Sequence, residues 1–145
     1  MAYKGKYKPT NPQKYVGDAT KIVYRSLWER RCMKMFDSNK NIIKWASEEV
    51  AIPYRSPKDN RIHKYYPDFI VEQKNKRGEV EIVMIEVKPK KQTSPPAMPK
   101  SGRKTKSFVV ESFQYAVNKA KWESAIKFCD YRGWRFVILT EDEIL

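Results

Sequence analysis

Three residues near the middle of the chain have the types and spacing for chemistry: Asp68, directly after Pro67, and Glu86 and Lys88, eighteen and twenty residues further on. Successive side chains of a strand point to opposite faces, so Glu86 and Lys88 share a face while Val87 points the other way, into a core. Pro89 disfavours helical backbone at Lys88, which keeps the lysine extended beside the glutamate. If the Asp68 segment pairs with the Glu86 segment, two carboxylates meet at one strand end. That is an oxygen-donor site for a hard divalent cation, with Mg2+ first in line and Mn2+ able to replace it. Acids and lysines at strand ends are also met as plain solvated pairs. Against that reading, Glu86 follows the apolar run Val80 to Ile85, broken only by Glu81, where a charge would otherwise be a poor choice.

The elements that must position these groups can be read from periodicity. Tyr66 to Val71 and Ile82 to Lys88 are rich in β-branched and aromatic residues, and Lys74 to Gly78 supplies turn chemistry, so a hairpin is expected. Trp45 to Tyr54 reads as an earlier strand with Val50, Ile52 and Tyr54 on one side, and Trp134 to Thr140 as a last strand beside the hairpin. Ser26 is a good helix N-cap, with Glu29 in capping-box position, and Leu27, Trp28, Cys32, Met35 and Phe36 give a helical stripe ending near Asp37 to Asn39. Phe108 to Arg132 reads as helical with a buried stripe of Phe113, Val117, Ala120, Ala125, Ile126 and Cys129. Asn118 is a candidate divider and Gly133 the expected residue after the helix. Helix, three strands, helices and strand in that order make an α/β fold, a small mixed β-sheet flanked by helices.

At 145 residues one domain is expected, and 30 lysines and arginines against 17 acids leave a formal charge of +13. Such an excess makes a polyanion the expected partner, and nucleic acid fits better than a membrane surface because no basic amphipathic helix is evident. One histidine, His63, and two cysteines, Cys32 and Cys129, with no CxxC exclude a zinc site; the cysteines read as buried free thiols of a reducing compartment. With no apolar leader and no long apolar run, the chain is expected to be soluble, with no membrane association.

Two stretches carry cations without a fold of their own. Residues 1 to 19 interleave Lys4, Lys6, Lys8 and Lys14 with Tyr3, Tyr7 and Tyr15, and read either as a basic arm whose tyrosines stack on bases or as a segment packed across the domain. Residues 89 to 107 hold four prolines and a glycine, and so form a loop. Its Lys90, Lys91, Lys100, Arg103, Lys104 and Lys106, with no acid among them, suit DNA phosphates. No element for reading base edges is visible, so little sequence preference is expected.

Pro67-Asp68 with Glu86-Val87-Lys88 resembles the PD-(D/E)xK nuclease signature. In addition, Tyr24 to Glu29, Ile52-Pro53-Tyr54, Glu86 to Lys91, Lys121-Trp122 and the stretch from Arg132 to Glu141, in that order, resemble the tailed-phage head completion nucleases. The resemblance implies a restriction-endonuclease-like core, a single nuclease domain over 20–145 behind the arm, and a metal-dependent DNA endonuclease. It implies Asp68, Glu86 and the Val87 carbonyl as metal ligands, Lys88 as the group beside the attacking water, and Glu29 as a third acid looking toward the metal. It implies double-stranded DNA as substrate and phage head or portal proteins as partners. The setting it implies is the host cytoplasm during assembly, or the virion itself, where packaged DNA ends are processed before a tail joins. Two alternatives share these features: a structural DNA-binding protein that does not cut, and a junction resolvase or transposon-type endonuclease.

Overall fold

The computed structural model describes residues 4–145, so Tyr3 of the basic segment lies outside the described residues. Elements in chain order are β1 (Gly5–Lys6), β2 (Val23–Tyr24), α1 (Leu27–Ser38), β3 (Ile42–Ser47), β4 (Ile52–Arg55), β5 (Ile62–Tyr65), β6 (Phe69–Lys74), β7 (Val80–Val87), α2 (Lys106–Arg132), β8 (Arg135–Leu139) and α3 (Glu141–Ile144). The central sheet has the order β3-β6-β7-β8; β6 runs antiparallel to both neighbours and β8 parallel to β7. Two-stranded ribbons β1-β2 and β4-β5 stand beside it. The expected mixed sheet flanked by helices is therefore what the chain forms, with the last strand against the hairpin as its pattern predicted.

Alternation along the two middle strands builds a core on each face. Phe69, Val71, Val83 and Ile85 pack with Cys32, Met33 and Phe36 of α1 on one side; Met84 packs with Trp122, Ala125 and Cys129 of α2 and with Ile52, Tyr54 and Tyr65 of the β4-β5 ribbon on the other. Each large apolar side chain so buried contributes about 1.5–3 kcal/mol, which holds both helices to the sheet. Both cysteines are buried and free, one in each core. Burial pushes the Cys32 thiol up to about 12 and the Cys129 thiol up to about 11.

The stretch Trp45 to Tyr54 is two strands in different sheets. Glu48 has φ +53°, a left-handed conformation uncommon for a side-chain-bearing residue, and it turns the chain out of the central sheet before β4 begins. The α2 helix is one unbroken run of 27 residues from Lys106. Asn118 divides nothing: it is buried and accepts a hydrogen bond from Gln114 Nε2 at 3.1 Å, so its side chain is satisfied within the helix. Because the amino-terminal half of α2 runs beyond the sheet, Phe113 is exposed, as is Ile126 on the outer side. Asn118, Trp122, Ala125 and Cys129 form the buried stripe instead. In α1 a similar shift of phase leaves Leu27 and Met35 exposed while Met33 is buried. Gly133 closes α2 with φ +71° as its position predicted. The acidic end of the chain, Glu141 to Glu143, is the first turn of α3, with a capping box on Thr140.

The described part of the segment read as a basic arm is seated on the domain, so the boundary at residue 19 has no structural counterpart. Tyr15 is buried against Trp45, and Tyr7 OH, Thr10 N and Asn11 N all donate to the Asp37 carboxylate at 2.7 to 3.0 Å. Lys14 Nζ donates to the carbonyls of Phe36, Asp37 and Asn39 at 2.7 to 3.0 Å, a cation on the negative end of α1. Lys14→Met is expected to cost about 1–2 kcal/mol and lower the thermal midpoint by a few degrees, read by circular dichroism. Lys4, Lys6 and Lys8 remain exposed.

Candidate active site

The register that pairs Phe69 with Ile85, continued by one residue, sets Asp68 opposite Glu86 at the end of the hairpin away from its turn. Opposed residues of an antiparallel pair project to one face, which brings the Glu86 carboxylate close enough to raise the Asp68 carboxyl. Pro67 ahead of Asp68 is fully buried and lies outside β6, where its missing N–H costs no ladder bond. Asp68 Oδ2 accepts the Val87 backbone N–H at 2.7 Å. Glu86 is only 6% exposed, and its Oε2 accepts from Tyr65 OH at 2.8 Å and from Trp122 Nε1 at 3.0 Å. Asp68 Oδ1 and Glu86 Oε1 take no hydrogen bond from a backbone or neutral side-chain donor among the described residues.

Burial, and then the negative charge of Glu86, hold the Asp68 carboxyl well above the usual carboxylate range. Two carboxyls this close in a dry setting call for a shared proton or a shared cation. The donor set therefore fits a hard divalent ion: two adjacent carboxylate oxygens free to ligate, fixed by donors on their other oxygens.

Tyr65 is a site residue that the sequence reading did not single out, and Trp122 entered it only within the Lys121-Trp122 pair, with no role assigned. Tyr65 ends β5, just before the Tyr66-Pro67-Asp68 turn, and Trp122 comes from α2, thirty-six residues after Glu86. The spacing of Asn118, Trp122, Ala125 and Cys129 along α2 is the signal that could have pointed the indole at the sheet. Lys121 lies 5.8 Å from the ring centres of both Tyr54 and Tyr65, and so backs the ring that holds Glu86. The Glu86 contacts also raise the Tyr65 hydroxyl far above its ordinary range, with burial the larger cause, so it remains a donor.

The remaining predicted residues are placed less closely. Val87 packs into the α1 core, as alternation predicts. Lys88 donates its backbone N–H to Leu139 O at 3.0 Å, which ties it to β8, but its ammonium forms no ion pair with Asp68 or Glu86. Glu29 serves α1: its N–H donates to Ser26 Oγ at 3.1 Å, and its carboxylate lies 3.4 Å from that hydroxyl and 3.5 Å from Arg25 N. Its charge is felt at Asp68, yet no three acidic, histidine or cysteine side chains gather at metal-ligand spacing among the described residues. Burial raises Glu29, and Glu48 beside it adds to the rise; Glu48 in turn is held by the Arg25 guanidinium.

The basic loop is divided. Lys90 is exposed but paired: its Nζ meets Asp142 at 3.0 Å and its N–H donates to Glu141 at 2.7 Å, pinning the start of the loop to α3. Lys91 lines a groove between the loop and α2, and Lys100, Arg103, Lys104 and Lys106 are exposed. His63 pairs with Asp59 on the exposed rim of β5 and takes no part in the site.

Residues 39–141, which include Asp68, Glu86, Val87 and Lys88, match the TnsA-like endonuclease N-terminal family. The chain belongs to the TnsA-like endonucleases. It is also similar to the head completion nuclease of Enterobacteria phage T4, at 40% identity over 144 residues, covering 98% of this chain and 93% of the relative. This TnsA-like endonuclease thus has the restriction-endonuclease-like fold expected of its signature, with the carboxylate pair inside the matched region and Glu29 outside it. No helix among its described residues is long and apolar enough to cross a membrane.

Proposed function

We propose that this protein is a divalent-metal-dependent DNA endonuclease acting in completion of a phage head. The observation that carries the reading is the strand register that sets the Asp68 and Glu86 carboxyls side by side, each held by donors on one oxygen. Asp68 and Glu86 would hold the ion directly, with the Val87 carbonyl as a third oxygen. When bound, Mg2+ or Mn2+ lowers the pKa of its water and neutralises charge on the phosphate. Tyr65 and Trp122 both donate to Glu86 Oε2 and so hold its carboxylate in one rotamer beside Asp68. Lys88 follows Glu86 on the same face, where its ammonium would orient the attacking water or stabilise charge on the phosphoryl oxygens. Glu29 supplies negative charge at the edge of the site while it caps α1. The similarity to the phage relative supports head completion as the setting, with double-stranded DNA as the substrate.

Supercoiled plasmid incubated with the pure protein and Mg2+ is expected to become nicked or linear, and EDTA to prevent it. Glu86→Ala should abolish the reaction. Lys88→Ala should slow it by about 10²–10³-fold, the usual loss when one charge-stabilising donor is removed. Plasmid left intact by the wild type in both Mg2+ and Mn2+ would establish a DNA-binding structural protein instead.

A further inference from the structure

Beside α1, the β1-β2 ribbon and the turn that follows β1 enclose a cleft of about 600 Å3. Four cations from two separate segments line it: Lys6 and Lys8 from the amino-terminal segment, and Arg30 and Lys34, one helical turn apart, from α1. None of the four forms an ion pair with an acid among the described residues. The single carboxylate in the lining, Asp37, accepts from Tyr7 OH and the N–H groups of Thr10 and Asn11 and pairs directly with none of the four, so four cations face one acid and the lining keeps a net positive charge. Arg30 is steadied against the Tyr24 ring at 5.9 Å. Four positive charges facing one concavity repel each other unless an anion lies between them.

The shape of the cleft argues for an extended anion. It follows α1 from Arg30 to Ser38, about 12 Å at 1.5 Å per residue, room for roughly two or three successive phosphates of one DNA strand, which lie farther apart along the backbone than the axial rise of about 3.4 Å. It also begins at the residue after Glu29, at the end of α1 whose charge reaches Asp68. We propose that this cleft holds the phosphodiester backbone of one strand of the duplex flanking the cut, with Lys6, Lys8, Arg30 and Lys34 lining its phosphates from both walls. The proposal rests on the endonuclease reading above and adds the path the substrate takes across the protein. The amino-terminal segment, seated on the domain, then does its DNA-binding work as one wall of a groove shared with α1.

The test is the salt dependence of binding to a fluorescein-labelled duplex, followed by anisotropy in EDTA between about 50 and 200 mM salt. The cleft variant is Lys6→Gln/Lys8→Gln/Arg30→Gln/Lys34→Gln. The matched control, Lys40→Gln/Lys74→Gln/Lys76→Gln/Arg77→Gln, removes equal charge at the other end of the hairpin. The slope of log affinity against log salt should fall by about 0.9 for each phosphate no longer neutralised, about 1.8 to 2.7 for the cleft variant, and by less than about 0.9 in the control. An unchanged slope in the cleft variant, or an equal fall in the control, would overturn the proposal. If the fourfold variant does not fold, Lys8→Gln/Lys34→Gln changes only exposed side chains and should lose about half as much. Plasmid cutting separates the two readings: binding that depends on the cleft without any cutting sinks the endonuclease alone, whereas cutting with a cleft-independent slope sinks the cleft alone.

Discussion

Asp68→Asn is expected to abolish DNA cutting and, in the same protein, to raise the thermal midpoint of the metal-free fold. Loss of a charged metal ligand removes several kcal/mol of transition-state stabilisation, a fall of about 10³-fold or more in rate. The stability gain follows from the geometry. Asparagine keeps an oxygen to accept the Val87 N–H and offers an amide donor to the neighbouring Glu86 carboxylate, so the repulsion present at pH above the raised Asp68 value becomes a hydrogen bond. Two charges about 4 Å apart interact by roughly 1–4 kcal/mol between effective dielectric constants of about 80 and 20, worth several degrees in a chain of this size.

The pH dependence follows with a definite sign. Asp68 is raised in the fold above its unfolded value, so its contribution to stability is fully present at pH below the ordinary carboxylate range and is lost as pH rises through the raised value. Without metal, melting followed from about pH 4 upward should show this decline for the wild type and its absence for Asp68→Asn. Added Mg2+ should restore the wild type at neutral pH, because an ion bound only by the folded state stabilises it, and should leave the variant unmoved. Equal Mg2+ responses in the two proteins would refute Asp68 as a ligand.

The second large effect concerns residues that touch no ion. Tyr65→Phe and Trp122→Phe each delete one donor to Glu86 Oε2 while keeping most of the buried ring. Partners that orient a metal ligand are typically worth about 10–100-fold in affinity or activity, and each variant should lose about that much. Raising the Mg2+ concentration should recover part of the loss in each case, and the apparent metal constant should weaken with it. A rate unchanged in both variants, at limiting Mg2+, would show that Glu86 needs no such support. Trp122→Phe also carries a control for packing, since Ala125 and Cys129 on the same face of α2 keep their places in the core.

The catalytic hairpin is legible in the sequence because its information is local. Alternation along Ile82 to Lys88 fixes which face Glu86 takes, and one turn fixes the register that brings Asp68 opposite. Tyr65 and Trp122 are not legible as donors, because their role depends on where two other elements land. A tyrosine before a Pro-Asp turn and a tryptophan on a helical stripe read equally well as plain core. The break at Glu48 hides for a different reason: Trp45 to Tyr54 has a continuous strand composition, and nothing in Glu48-Glu49 announces a left-handed turn. The α2 stripe misleads through its length, since a 27-residue helix is longer than the sheet it covers and its far end has no core to face. Lys90 looks like a DNA contact because its acid partners, Glu141 and Asp142, lie more than fifty residues away in sequence.

The docking of the amino-terminal segment has one more consequence. β3 is the outermost strand on its side of the central sheet, and an outermost strand with unpaired backbone groups invites another chain to add to it. Tyr15 bridges to Trp45, and the Val16 N–H donates to Trp45 O at 2.8 Å, on that rim. The chain thereby blocks sheet-to-sheet aggregation at this rim with its own backbone, and clipping the first sixteen residues would unmask a sticky border as well as remove lysines.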